Sequence, residues 1–369
     1  MICIIKCVMS QVEILLELFR SSVLDRDPVI PVNAIIDWDR LMDLSVKQNI
    51  LPWVWNGICR LPLSQCPPRQ QRINWGLSAQ DSLDCYRRQK NVLAEMIDVC
   101  NKNNIKLLLL KGIGLSTLYP DPQLRPSSDI DIFLFDDFEK GNILFGDGVN
   151  KFNHKHTSFN YCGVHVENHV TPIDVDTKYQ EKVERYIESA LANVIKTEDG
   201  FFILPPITNL LYLITHAVRH YELETLIPLR LFVDIALFIQ RNEREVNTPE
   251  CYLILKKMHM EKSLALILTV AEEILKVSFP MNHRYLISRK ERTYINNIFL
   301  KAQFEKKSPY MIDSTSSLRE QWKWYLNSLR LYKFIPKTGK EKFAEFQHQM
   351  GFTLKYILGL PMNKTLLHK

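Results

Sequence analysis

None of the eight cysteines in this chain forms a CxxC pair, so their spacing indicates neither a zinc site nor a disulfide scaffold. Reduced thiols in a cytoplasm are the simplest expectation for such a scatter. Long apolar runs are missing too, since none approaches the roughly 20 residues of a membrane-spanning helix. The stretch Met1 to Val8 is apolar but short. It is interrupted by Lys6 and lacks a cleavage site, which makes it a poor signal peptide. Met9 offers an alternative start, with Ser10 placed to cap a helix that carries Glu13 at its third position. Internal repeats, a heptad seam and low-complexity tracts are absent. Charge of one sign is scarce: 47 basic residues against 41 acidic ones leave +6. That excess suits an anionic substrate, but without a basic-aromatic run it does not argue for long nucleic acid. What is present is an ordinary globular balance, 46% hydrophobic and 24% charged, over 369 residues, enough for two or three domains.

Apolar residues recur at helical spacing over Gln11 to Ser21, Asp37 to Gln48 and Leu51 to Ile58, with Trp53 and Trp55 as packing anchors. Arg69 to Asn103 reads as one long helix, polar on its outer side. Helical character returns at Lys182 to Ile195, at Asn209 to Tyr221 behind Thr208 as N-cap, and at Leu229 to Gln240. Further helices are expected over 250–277, 284–303, 315–334 and 340–358. Linkers are expected near Ser308 and Pro336, the latter running into the solvated stretch Lys337 to Lys342. The expected plan is α+β. An N-terminal helical region (1–95) and a C-terminal helical region (181–369) flank a small mixed β-sheet core (96–180).

The chemistry concentrates between Ile105 and Asp137. Ile105 to Leu110 is too short for a buried helix and is bounded by glycine, so it reads as a buried strand. Gly112 and Gly114 permit a tight turn with backbone N–H groups free for an anion. In the next strand Asp129, Asp131, Phe133 and Phe135 share one face, and Ile130, Ile132 and Leu134 share the other. Two carboxylates at adjacent same-face positions repel unless a cation sits between them, which points to a divalent metal beside a phosphate turn. Further on, Val164, Val166 and Val170 alternate with His165, Glu167 and His169, with Asn168 breaking the apolar face once. Glu167 is the preferred third carboxylate, and Asp174 and Asp176 are its rivals.

A phosphate turn, a DxD strand and a later third carboxylate together suit nucleotidyl transfer assisted by two divalent ions. Leu110-Lys111-Gly112, Tyr119-Pro120, Arg125 and Asp129-Ile130-Asp131-Ile132 resemble the first block of the uncharacterised nucleotidyltransferase family, within the DNA-polymerase-β-like superfamily. Its following blocks are similar to Val166-Glu167-Asn168-His169, to His216-Ala217-Val218-Arg219-His220 and to Leu229-Arg230-Leu231-Phe232-Val233-Asp234. The resemblance covers roughly residues 30–240. It implies transfer of a nucleoside monophosphate from an NTP to a hydroxyl or phosphate acceptor, with release of pyrophosphate. Asp129, Asp131 and Glu167 would be the catalytic metal ligands, for Mg²⁺ or Mn²⁺. Lys111, Gly112, Gly114 and Arg125 would bind the nucleotide. The superfamily's usual Gly-Ser is Gly112-Ile113 here, which leaves backbone N–H groups and Lys111 to hold phosphate. The acceptor, a protein, a sugar or a small molecule, stays open.

Plainer roles stand beside these. Asp129 and Asp131 could be a solvated strand start, and Lys111 and Arg125 surface charges. His165 and His169 lie four residues apart on a strand, about 13 Å, too far to share an ion. His216 and His220, one helical turn apart, could share one, but no third ligand is obvious and packing is favoured. A dehalogenase-like phosphatase would need an apolar strand directly before its first Asp, where Leu124 to Ser128 is turn-like. The alternative of another class is a catalytically degenerate nucleotidyltransferase fold that binds nucleotide without turnover.

Overall fold

The computed structural model describes residues 9–146, 151–152, 155–173, 180–224, 227–281 and 286–295, together with residues 304 and 334. Residues 1–8, Asp174, Asp176, Ser308, Pro336 and Lys337 to Lys342 lie outside these. So do the helix expected over 340–358 and, apart from Phe334, the one expected over 315–334.

Three short helices open the chain: α1 (Gln11–Val23), α2 (Trp38–Lys47) and α3 (Leu51–Cys59). Ser10 caps α1 by accepting the Glu13 N–H at 3.2 Å. Helices α1 and α3 approach closely because Gly57 has no side chain. A Cβ there would fall 2.2 Å from the Leu18 carbonyl oxygen. The long helix α4 (Arg69–Lys102) follows and delivers the chain into β1 (Leu108–Leu109). Next come β2 (Asp129–Phe133), α5 (Phe138–Phe145), β3 (Lys151–Phe152), β4 (His156–Tyr161) and β5 (Val164–His169). After α6 (Gln180–Ala190), β6 (Ile195–Lys196) and β7 (Phe202–Ile203) return to the sheet. The sheet therefore reaches past residue 180, into the region expected to be helical throughout. The chain continues with α7 (Pro206–Glu224), α8 (Leu229–Arg241), α9 (Glu243–Val246), α10 (Pro249–Lys257), α11 (Glu261–Leu275) and α12 (Arg289–Tyr294).

Several expected boundaries shift for local reasons. Pro206 starts α7, so Thr208 lies inside the helix rather than capping it. The expected helix over 250–277 is two helices, because His259 adopts a left-handed φ of 53° between α10 and α11. The DxD strand ends at Phe133, and Phe135 turns left-handed (φ 56°) instead of continuing the face.

The strand order is β3-β4-β5-β2-β1-β7-β6. The sheet is mixed: β2 runs parallel to β5 and antiparallel to β1, and β1 runs parallel to β7. Ile130, Ile132, Val164 and Val166 form one apolar face and pack with Val92, Leu93, Met96 and Ile97 of α4. Each such fully buried side chain contributes on the order of 2 kcal/mol. Asn168 interrupts this face because it serves α5, donating to Phe138 O at 3.0 Å and Asn142 Oδ1 at 2.9 Å. On the other side Leu108, Leu110 and Phe133 join a larger core built with α1, α3, α7, α8 and α11. The carboxylate-bearing end of β2 and β5 lies on this second side, and α7 and α8 face it.

Candidate functional site

The parallel register of β2 and β5 sets Asp129 beside His165 and Asp131 beside Glu167. Side chains at alternate strand positions share a face, so all four project from the same side of the sheet. One carboxylate oxygen from each of Asp129, Asp131 and Glu167 lies within 4.8 Å of the others. Asp131 is fully buried. Its Oδ1 receives the Lys111 ammonium at 2.7 Å and faces His169 Nε2 at 3.0 Å. Its Oδ2 is buried with no hydrogen-bond partner. An orphaned anionic oxygen is costly unless a cation completes it. Three converging carboxylates fit a hard divalent cation that takes oxygen ligands. Burial acts to raise the Asp131 pKa, but the Lys111 charge and the His169 contact outweigh it and hold the carboxyl well below its usual range. For Lys111 the balance is the mirror image. Burial would lower its pKa, and Asp131 first, then Asp129, raise it above the ordinary value.

Behind the carboxylates, Gly112 adopts φ 63°, a conformation that suits glycine. A Cβ there would stand 3.1 Å from Ser127 Oγ and 3.2 Å from Asp129 O, so the turn is also packed tightly against the entry to β2. Arg125 fixes the turn from behind. Its Nη1 donates to Gly112 O at 2.6 Å, and its Nε and Nη2 make a fork on Asp234 of α8 at 2.9 and 2.8 Å. The Tyr119 hydroxyl donates to Asp234 Oδ1 at 2.7 Å. The Arg125 and Asp234 side chains are 2% and 1% exposed. Arg125 thus sits in the wall with its donors committed, holding the turn to α8. Beside it Arg230 donates to Pro126 O.

Helix α7 closes the cleft opposite the sheet. His216 and His220, one turn apart, meet edge to face with ring centroids 4.6 Å apart, and Tyr212 stacks on His216 at 6.4 Å. Burial, then the charges of Lys111 and His220, push the His216 pKa well below its ordinary value, so its ring is neutral at pH 7. Lys111, His216 and His220 border two adjoining cavities. One opens over Gly112, Ser127 and Asp129, and the other over Glu167, Tyr212 and Arg219.

The structure therefore gathers Lys111, Gly112, Asp129, Asp131 and Glu167 into one cleft. Gly114 lies one step behind, where a Cβ would press on Leu109 Cδ2 at 2.9 Å. Ser127, His156 and Tyr212 were not singled out from the sequence, and Tyr119 and Arg219 stood there only within the quoted family blocks. His156 arrives only through strand pairing, because β4 sets it opposite His169. Among the described residues no helix is long and apolar enough to cross a membrane. Residues 35–276, more than half of the chain, match the family described as "Uncharacterised nucleotidyltransferase". No curated protein and no solved structure matches the chain.

Proposed function

The chain belongs to the uncharacterised nucleotidyltransferase family, and from that premise we propose that it moves an NMP group from an NTP to a hydroxyl or phosphate acceptor and releases pyrophosphate. The observation that carries this proposal is the convergence of one oxygen each from Asp129, Asp131 and Glu167 within 4.8 Å, with Asp131 Oδ2 buried and without a hydrogen-bond partner. A divalent cation bound there, Mg²⁺ or Mn²⁺, supplies Lewis-acid stabilisation of charge on the transferring phosphoryl group. The chain's own residues do the rest. Asp129, Asp131 and Glu167 hold the cation. Lys111 offers its ammonium, and the start of the turn at Gly112 its N–H groups, to phosphate oxygens, while the Gly114 N–H is already donated to Lys111 O at 3.3 Å. Arg125 does not touch nucleotide in this proposal. It keeps the turn in place through Gly112 O. The cavity over Gly112, Ser127 and Asp129 takes the phosphates, and the one bordered by Tyr212 and Arg219 takes the acceptor.

The test is incubation with each α-³²P-labelled NTP, Mg²⁺ or Mn²⁺, and a lysate of the source cells. Label should enter an acceptor and should vanish with Asp131→Asn. One contact favours a second reading, a fold that binds nucleotide without turnover. Lys111 sits 2.7 Å from Asp131 Oδ1, where it competes with a bound cation. Nucleotide binding without label or pyrophosphate under either metal would select that second reading.

A further inference from the structure

Beside the carboxylate triad stands a second group of different chemistry, formed by His156, Glu167 and His169, with one donor atom from each within 4.8 Å of the others. It follows from the pairing of β4 with β5. His156 lies directly opposite His169, and Glu167 lies two residues before His169 on the same face. His156 Nε2 is 3.5 Å from Glu167 Oε1, and His169 Nε2 is 3.6 Å from Glu167 Oε2. Those separations exceed the roughly 2.7–3.2 Å of ordinary N–H···O hydrogen bonds. They leave room for an ion instead: donors held about 2.0–2.1 Å from one tetrahedral ion stand about 3.3–3.4 Å apart, and Glu167 turns a separate oxygen to each imidazole. The side chains are also enclosed, with His156 17%, Glu167 20% and His169 8% exposed. His165 approaches Glu167 at 3.6 Å as well, but its side chain is half exposed and it is not part of the converging group.

We propose that His156, Glu167 and His169 bind a borderline transition-metal dication of the Zn²⁺ class, at a site joined to the three-carboxylate group through Glu167 and through the His169 Nε2–Asp131 Oδ1 contact, which the ion would replace. Two imidazoles and one carboxylate suit such ions, whereas Mg²⁺ prefers oxygen donors and retained water. The site draws on no residue of the glycine turn. The cysteine spacing is silent on it, because all three ligands come from β4 and β5.

The test is chelator-competition titration of the metal-stripped full chain with Zn²⁺ alone and Mg²⁺ alone. Wild-type protein should bind Zn²⁺ tightly and Mg²⁺ weakly. His156→Asn should lower Zn²⁺ affinity by at least about tenfold, a change comparable with loss of even an outer-shell partner. Asp129→Asn should leave Zn²⁺ affinity within about twofold of wild type. Equal Zn²⁺ affinity in wild type and His156→Asn, or an equal loss in Asp129→Asn, would overturn the assignment. Should His156→Asn fail to fold, X-ray absorption of wild-type protein loaded with one equivalent of Zn²⁺ decides. Two imidazoles in the coordination shell support the site, and an all-oxygen or sulfur-containing shell refutes it.

Discussion

Asp234 lies far in sequence from the DxD strand, yet the glycine turn depends on it. Replacing it with alanine would leave Arg125 charged in a wall where only 2% of its side chain is exposed. Arg230, whose pKa burial and Arg125 already lower, would then face that uncompensated charge. Stranding one partner of a buried ion pair costs about 3–5 kcal/mol. With an m-value of about 3 kcal/mol/M, the urea midpoint of Asp234→Ala should fall by about 1–1.7 M. Removing both charges is a different perturbation. Arg125→Met with Asp234→Leu should recover part of the loss, ending about 2–3 kcal/mol below wild type, because no buried charge is stranded and only the Tyr119 hydroxyl and Gly112 O lose a partner. That loosened turn means the double variant should stay folded while losing Mg²⁺-dependent NTP affinity. Urea titrations of the four proteins in the cycle, with fluorescent-NTP binding on the folded ones, provide both readouts. A loss under about 1 kcal/mol in Asp234→Ala, or a double-variant loss equal to the sum of the singles, would refute the reasoning.

Two further outcomes follow from local geometry. Gly112→Ala and Gly163→Ala should each cost about 1–2 kcal/mol, since both glycines hold left-handed φ values of 63° and 78°. Only Gly112→Ala should weaken NTP binding, because its Cβ would press on Ser127 and Asp129 while that of Gly163 meets nothing within 4 Å. For Glu17, burial works to raise the pKa. Hydrogen bonds from Arg26 at 2.7 Å and the Val29 N–H at 2.8 Å, with the Arg20 charge, outweigh it and lower the pKa. A depressed folded pKa means the unfolded chain binds more protons, so this stabilisation is complete above about pH 4.3 and is lost as pH falls below it. Glu17→Gln should therefore show a flatter decline in urea midpoint between pH 6 and pH 3 than wild type. Parallel curves would show that Glu17 contributes nothing to the acid limb.

The core of the site was legible because its signals are local. Alternation along Asp129 to Phe133 and along Val164 to His169 fixes which side chains share a face, and a glycine turn announces itself by composition. What alternation cannot state is register. That Glu167 lies beside Asp131, rather than two residues away, is a property of the β2–β5 pairing. That His156 belongs to the group at all depends on β4 lying antiparallel to β5. Arg125 shows a second limit. As a basic residue near a phosphate turn it has the composition of a ligand, and only the fold reveals that Asp234, 109 positions later, already engages it. The Tyr, Arg and Asp of the separate family blocks become one cluster in three dimensions, which a linear pattern displays as unrelated letters. Short sheet-edge strands such as β6 and β7, two residues each, carry too little periodicity to separate them from the helices around them.

The contact between Lys111 and Asp131 would make cation binding an exchange. The ammonium already neutralises Oδ1 at 2.7 Å, so an arriving dication must displace a positive charge as well as acquire ligands. Alone, the dication would leave that ammonium without its counter-charge in a mostly enclosed cleft, which weakens its own net affinity. A triphosphate arriving with it changes the balance, because its oxygens give the displaced Lys111 a new partner. Dication and nucleotide should then bind as a thermodynamic pair, each tightening the other by the same factor. The lysine at the turn would act as an internal placeholder that balances the buried Asp131 charge until both halves of the substrate complex arrive.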